Sequence, residues 1–430
     1  MKRSDLMLLA ALVLPAGPAT RLIDKESDDP NHLAPPGRQI ETNLKVIDQR
    51  SLRVITRRSE PWSDVTWKAN RGLLLQRYRD SRFEKEEGWR RKRLYLNRFS
   101  ADWMFALDPR ERDRWVETLS PAEKYDLVMG TVRGGLSEKI SGFLSETLGN
   151  SANFPSWWGL CEGSAASTVY YPEPVKRVVL YGEANRVRVP FYAPDIKGLA
   201  TLLWSRFNKS LNLPESGLQC KTDGKGCFDS NPASFHASVH HFLDLYPGVL
   251  VGEMDPTPVV WNFPLVSYDE TYFRPDKGSG TTTTNLGSAT VAVSDWQDDP
   301  RRSKRSPGTA YIAGVKMTVE YAVNQDRAPP PEGSLKRKII PRVLTYEIEL
   351  DADLNMLGGE WVSGKHPDLL WTIPPDSVPD TVGDATLPPG DGEDGTIPAS
   401  WSASARASAA RLTPLRRVVE LLVKKSAEER

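Results

Sequence analysis

The chain has 430 residues, with 56 Lys and Arg against 56 Asp and Glu, 34 Pro and 31 Gly. That length supplies core enough for two or three domains, and zero formal charge removes the electrostatic basis for nucleic-acid binding. So much Pro and Gly excludes a mostly helical protein, and three Cys are too few for a disulfide-built one.

In chain order, Lys2 and Arg3 precede the apolar stretch Leu6 to Leu14 and then Pro15-Ala16-Gly17-Pro18-Ala19. This is the layout of a signal peptide over residues 1–19, and it implies a secreted or periplasmic protein. Nothing else approaches the length of a membrane span. Residues 20–60 are polar and read as an extended lead-in. Residues 61–150 read as helical, and Ser120-Pro121-Ala122-Glu123 is a helix start with its cap and capping-box Glu in place. The dense charges from Glu84 to Lys92 interleave acids and bases, so they read as a solvated face. As the N-terminal part of the chain, the residues before about 110 could serve as a pro-segment over a cleft.

The pattern changes at 151–375, which reads as the core that carries the chemistry. Runs at 178–180 and 187–191 read as strands, and 315–321 and 343–350 alternate with period two. Asp351 to Asn355 reads as a turn, because it lacks the Gly and distal Glu of a calcium loop. Residues 376–400 are an acidic Pro/Gly linker: 371–400 hold six acids, six Pro and no base. Residues 401–430 form a basic amphipathic helix with Leu415, Val418, Val419 and Leu422 on one face. It is expected to dock on its own core, with a partner or a membrane surface as the alternative.

The candidate nucleophile is Cys161, in Trp157-Trp158-Gly159-Leu160-Cys161-Glu162-Gly163-Ser164-Ala165-Ala166. A helix starting at Cys161 would aim backbone N–H groups at the sulfur and favour thiolate, and the small residues allow close packing beneath it. The alternative is a buried structural Cys. Phe235 to Leu245 and Val249 to Asp255 flank a Tyr-Pro-Gly turn and read as an antiparallel hairpin, in which His236 and Asp255 become neighbours on one face. A base and its orienting carboxylate would follow. Were this stretch helical, His236, His240 and Asp244 would line one face as metal ligands, though without the Glu of a zinc peptidase. Cys220 and Cys227 flank a polar turn able to bring them within disulfide range.

Leu119-Ser120-Pro121-Ala122-Glu123-Lys124-Tyr125-Asp126-Leu127, the Trp-rich lead into Cys161, Val260-Trp261-Asn262-Phe263-Pro264, and Gly358-Gly359-Glu360-Trp361 with Pro367-Asp368-Leu369-Leu370-Trp371 occur in one order. Together they resemble the transglutaminase elicitor family, known from oomycete cell-wall transglutaminases and bacterial relatives, over roughly residues 110 to 375. The resemblance implies an α+β, papain-like cysteine-nucleophile fold, with a helical N-terminal part and an antiparallel sheet, and a Cys161, His236, Asp255 set. The Trp-Asn-x-Pro segment corresponds to the family's elicitor peptide, with Phe263 in place of the usual Gln.

The implied reaction is protein-glutamine γ-glutamyl transfer through a Cys161 thioester, linking a Gln donor to Lys or another amine. Trp157 or Trp158 and the Cys161 N–H would hold the oxyanion, and Asn262 could orient the base in place of Asp255. Peptide hydrolysis or glutamine deamidation would use the same groups, and an inactive elicitor or binding protein is the alternative of another class. No metal or cofactor is called for, although calcium dependence is compatible with the reading.

Overall fold

A computed structural model describes residues 22–427 except 57–60, 149–156, 206–210, 212, 219–229, 246–247, 255–258, 334, 363, 365 and 375–376. The signal-peptide segment, the Cys220–Cys227 pairing and Asp255 therefore lie outside the described residues.

The strands are β1 (Val54–Thr56), β2 (Val178–Gly182), β3 (Val187–Phe191), β4 (Glu215–Gly217), β5 (Val249–Glu253), β6 (Asn262–Phe273) and β7 (Thr282–Thr283). They continue with β8 (Thr290–Ala292), β9 (Tyr311–Ala322), β10 (Ile339–Leu350), β11 (Met356–Trp361), β12 (Leu369–Ile373) and β13 (Thr396–Ile397). The main sheet runs β11-β10-β9-β6-β5-β12-β4, with β1 and β7 on β6 and β8 on β9, and every pair in it is antiparallel. Asp351 to Asn355 makes the tight connection from β10 to β11, closed by the Asp351 N–H to the Asn355 carbonyl at 3.0 Å.

Helices build a second layer around its own core, which includes Trp67, Leu74, Tyr125, Leu199, Leu202, Trp401 and Leu422. At its centre is the Pro121–Met129 helix, all nine residues of which are buried. Its capping box closes as the sequence signals, with the Glu123 carboxylate accepting from the Ser120 N–H. That same carboxylate takes Arg77 in a two-pronged ion pair at 2.8 and 2.5 Å, which compensates a guanidinium with no exposure. The architecture is thus α+β.

Three expectations about the ends of the chain change. Residues 20–60 are not an extended lead-in throughout: the Leu44–Arg50 helix, β1 and the buried Leu33, Ile40 and Ile47 pack on the main sheet. Nor do the residues before 110 form a detachable cover, because Trp67 and Leu73 to Leu75 are part of the helical core. Residues 376–400 are no loose linker. Leu387 and Ile397 are buried in the helical core, β13 pairs with β2, and Asp384 accepts the first N–H groups of the Arg416–Ala427 helix at 2.9 and 3.2 Å. Widely spaced apolar anchors suffice to fix a Pro-rich segment whose composition alone suggests disorder. The terminal helix buries Val418, Val419, Leu422 and Val423 against the same core.

Candidate active site

The sequence Cys-Glu-Gly-Ser-Ala-Ala-Ser folds as the Cys161–Tyr170 helix, with Cys161 as its first residue. Its start is pinned from the N-terminal region: Leu160 N–H donates to the Thr66 carbonyl at 3.0 Å, and Ala69 N–H to the Trp158 carbonyl at 2.9 Å. The small residues permit close helix packing. A methyl at Gly163 would stand 2.1 Å from the Thr201 carbonyl oxygen of the Ala193–Leu203 helix. This helix lies on the main sheet, where Ala165 and Ala166 meet Val249 and Val251 of β5 and Trp371 and Ile373 of β12.

The sulfur sits beside the start of β6. Asn262 donates a side-chain N–H to Cys161 Sγ at 3.4 Å, and the Val260 carbonyl is 4.0 Å away. The Asn262 amide is itself oriented by Trp371, whose indole N–H donates to Oδ1 at 2.7 Å. Opposite Asn262 across the β5–β6 ladder is Glu253, fully buried, whose carboxylate accepts the Trp261 N–H. Burial pushes the Cys161 thiol up to about 11, with Glu162 adding to the rise; the Asn262 bonds oppose it, and Glu253 raises it further. At neutral pH this is a thiol. Trp158 packs its ring on Phe143 at 5.8 Å in the helical layer, and Trp157 is half-buried at the turn before it.

His236 is elsewhere. Pro232–His240 is a helix, not a hairpin strand, capped by Asn231 with Pro232 in its first turn, and it continues as a π-helical turn over His241–Leu245. The helix packs on the other side of the sheet. Leu250 and Leu370, which alternate with the residues beneath Cys161, join Phe235, Ala237 and Val239 in a separate core. The His236 ring is fully buried, its Nδ1 2.9 Å from the Tyr346 hydroxyl and 3.9 Å from Glu270. Glu270 and Asn262 are both on β6 but eight residues apart, roughly 26 Å of extended strand. A bulge between Leu265 and Ser267 shifts the side-chain alternation between them. The expected Cys161–His236 partnership is therefore corrected: a sheet separates the two.

Beside His236, His240 joins the sheet and the helix end. Its Nε2 is 3.1 Å from Glu270 and its Nδ1 3.0 Å from Asp244. Burial, seconded by His240, pushes His236 down to about 3. Burial also opposes charge on His240, but Glu270 and Asp244 outweigh it and raise the ring to about 9. Glu270 falls to about 2, because His240 overcomes the cost of its burial.

Of the residues that meet at the sulfur, the sequence singled out Cys161 and Asn262 but not Glu253, and it offered Trp371 only as part of the Pro-Asp-Leu-Leu-Trp run. Sequence reasoning also passed over Asn231-Pro232, an N-cap followed by Pro, which is the local signal for the helix.

An antiparallel sheet with a cysteine-headed helix on one face and a large helical layer defines a transglutaminase-like protein when set beside known proteins. The profile of the transglutaminase elicitor family matches residues 137–387, more than half the chain, and the chain belongs to that family. The crystal structure of the GP42 transglutaminase from Phytophthora sojae superposes with a TM-score of 0.55, covering 91% of this chain and 95% of that one at 16% identity. That likeness is one of fold. No curated protein matches the sequence.

Proposed function

We propose that the protein is a transglutaminase-type acyltransferase with Cys161 as nucleophile, linking protein glutamine to lysine or another amine. The carrying observation is the Asn262 amide on Cys161 Sγ, itself fixed by Trp371, at the first residue of a helix. Membership of the transglutaminase elicitor family supports the same reading.

In this reading Cys161 attacks the glutamine carboxamide, and the C–N bond breaks as the thioester forms. The thiol proton leaves with ammonia. The acceptor amine then attacks the thioester, and its proton returns to the sulfur, so that free thiol and isopeptide bond appear together. Asn262 and the backbone N–H groups at the helix start are the donors for the developing oxyanion. The proton relay falls to a carboxylate rather than to His236. Glu253 lies close enough to raise the thiol's pKa, and Asp255 remains a candidate to be tested by substitution.

Amine incorporation into a glutamine-rich protein tests the proposal. Cys161→Ala should reduce incorporation by about 10³-fold or more with the fold intact, as loss of a covalent nucleophile does. Full activity in that variant overturns the assignment. The neutral thiol and the distant imidazole favour one second reading, a catalytically silent binding protein. Wild-type protein that releases no ammonia and incorporates no amine, with or without calcium, would establish it.

A further inference from the structure

We propose that His236, His240 and Glu270 form a buried site for one divalent transition-metal ion of the zinc class, separate from the cysteine site and on the opposite face of the sheet. One ligand atom from each lies within 4.8 Å of the others, and all three residues are buried. For tetrahedral zinc with bonds near 2.0–2.1 Å, neighbouring ligand atoms stand roughly 3.3 Å apart. The contacts of 3.1 Å from His240 Nε2 to Glu270 and 3.9 Å from His236 Nδ1 to Glu270 bracket that spacing.

The two nitrogens of the His236 ring are unequally partnered. His236 Nε2 is enclosed and has no hydrogen-bond partner among the described residues, while Nδ1 meets the Tyr346 hydroxyl. Nδ1 is the nitrogen that faces Glu270, so it is the ligand atom, and a metal there would take its lone pair in place of the Tyr346 hydroxyl, leaving the proton on the enclosed Nε2. The surroundings are also those of a metal-bound imidazole. His240 presents its other nitrogen to Asp244, and the Tyr268 hydroxyl contacts both groups at 3.2 and 2.6 Å. A carboxylate behind a ligating His fixes its tautomer and raises its basicity.

Charge and donor type select the ion. Glu270 within the set and Asp244 behind it match the two positive charges of a divalent cation. Two imidazoles and one carboxylate suit zinc, cobalt or nickel; calcium and magnesium prefer all-oxygen shells. The spacing His236 to His240 comes from one turn of helix, and Glu270 comes from β6, so the ion would bind the helix to the sheet. With all three ligands enclosed the role is structural.

The test uses the full chain, first stripped with a chelator, then titrated with Co²⁺ or Zn²⁺. The expected result is one ion per chain, a visible Co²⁺ absorption band, and a rise in Tm of about 3 °C or more at a hundredfold excess of Zn²⁺ over Kd. His236→Gln and Glu270→Gln should each abolish the Co²⁺ band, while Cys161→Ala should retain it. Folded wild-type protein that takes up less than about a tenth of an equivalent overturns the proposal, and this measurement needs no variant. So does a Co²⁺ band that survives His236→Gln, or one lost in Cys161→Ala.

Discussion

The two faces of the central sheet carry two kinds of chemistry, although the strands between them are the same. On one face a helix of small residues brings a single thiol to an amide, a tryptophan and a buried carboxylate. On the other, a helix rich in His supplies imidazoles to Glu270 and two tyrosines. Among the described residues, the partners of the thiol include no imidazole, and the partners of the two imidazoles include no thiol. A motif that places Cys and His in one chain therefore does not place them in one site, because strand alternation assigns each neighbour to a face.

Substitutions should separate the faces, the largest effect falling on stability. Glu270→Ala removes the carboxylate facing both histidines and strips His240 Nε2 of its partner, leaving Asp244 and the Tyr268 hydroxyl on Nδ1. Denaturant unfolding under metal-free conditions should show a loss of about 3–5 kcal/mol, against less than about 1 kcal/mol for Cys161→Ala. Equal losses would dissolve the contrast. Asn262→Ala acts on the other face. Amine incorporation should fall about 10²-fold through loss of an oxyanion donor, and an unchanged rate would remove Asn262 from the site.

The pH dependence of Cys161 alkylation sharpens the comparison further. Because the folded thiol titrates near 11, iodoacetamide labelling should climb about tenfold per pH unit from 7 to 10. An activated thiolate would instead give a flat, fast rate. The sign for stability follows: a pKa raised in the folded state gives a contribution present below pH 9, the ordinary thiol value, and lost as pH rises through 11. Cys161→Ala should remove that slope. Smallest is Tyr346→Phe, which deletes the hydroxyl on His236 Nδ1 and should cost about 1 kcal/mol with no change in labelling of Cys161.

Much of the setting of Cys161 is legible locally. Small residues after Cys161 announce a closely packed helix, and Ser120 to Glu123 announce another by their capping chemistry. Asn262 belongs to a Trp-Asn-x-Pro run whose order along the chain signals the family. The 232–245 stretch is different, because a short apolar run with His at intervals of four satisfies both a strand and a helix. Its Asn231-Pro232 start favoured the helix, but the Tyr-Pro-Gly that follows looks like a hairpin turn. In the same way, the composition of 376–400 conceals that Leu387 and Ile397 are anchors.

By itself the sequence determined the α+β class, the family and the residue heading the cysteine helix, since these depend on near-neighbour patterns and ordered motifs. Only the tertiary structure decided that Cys161 and His236 lie across a sheet from each other, and that His236 and His240 meet a carboxylate thirty positions beyond His240 on β6. The physical reason is that pairing register and a single bulge choose the face on which a side chain emerges, and both are settled between strands distant in the chain.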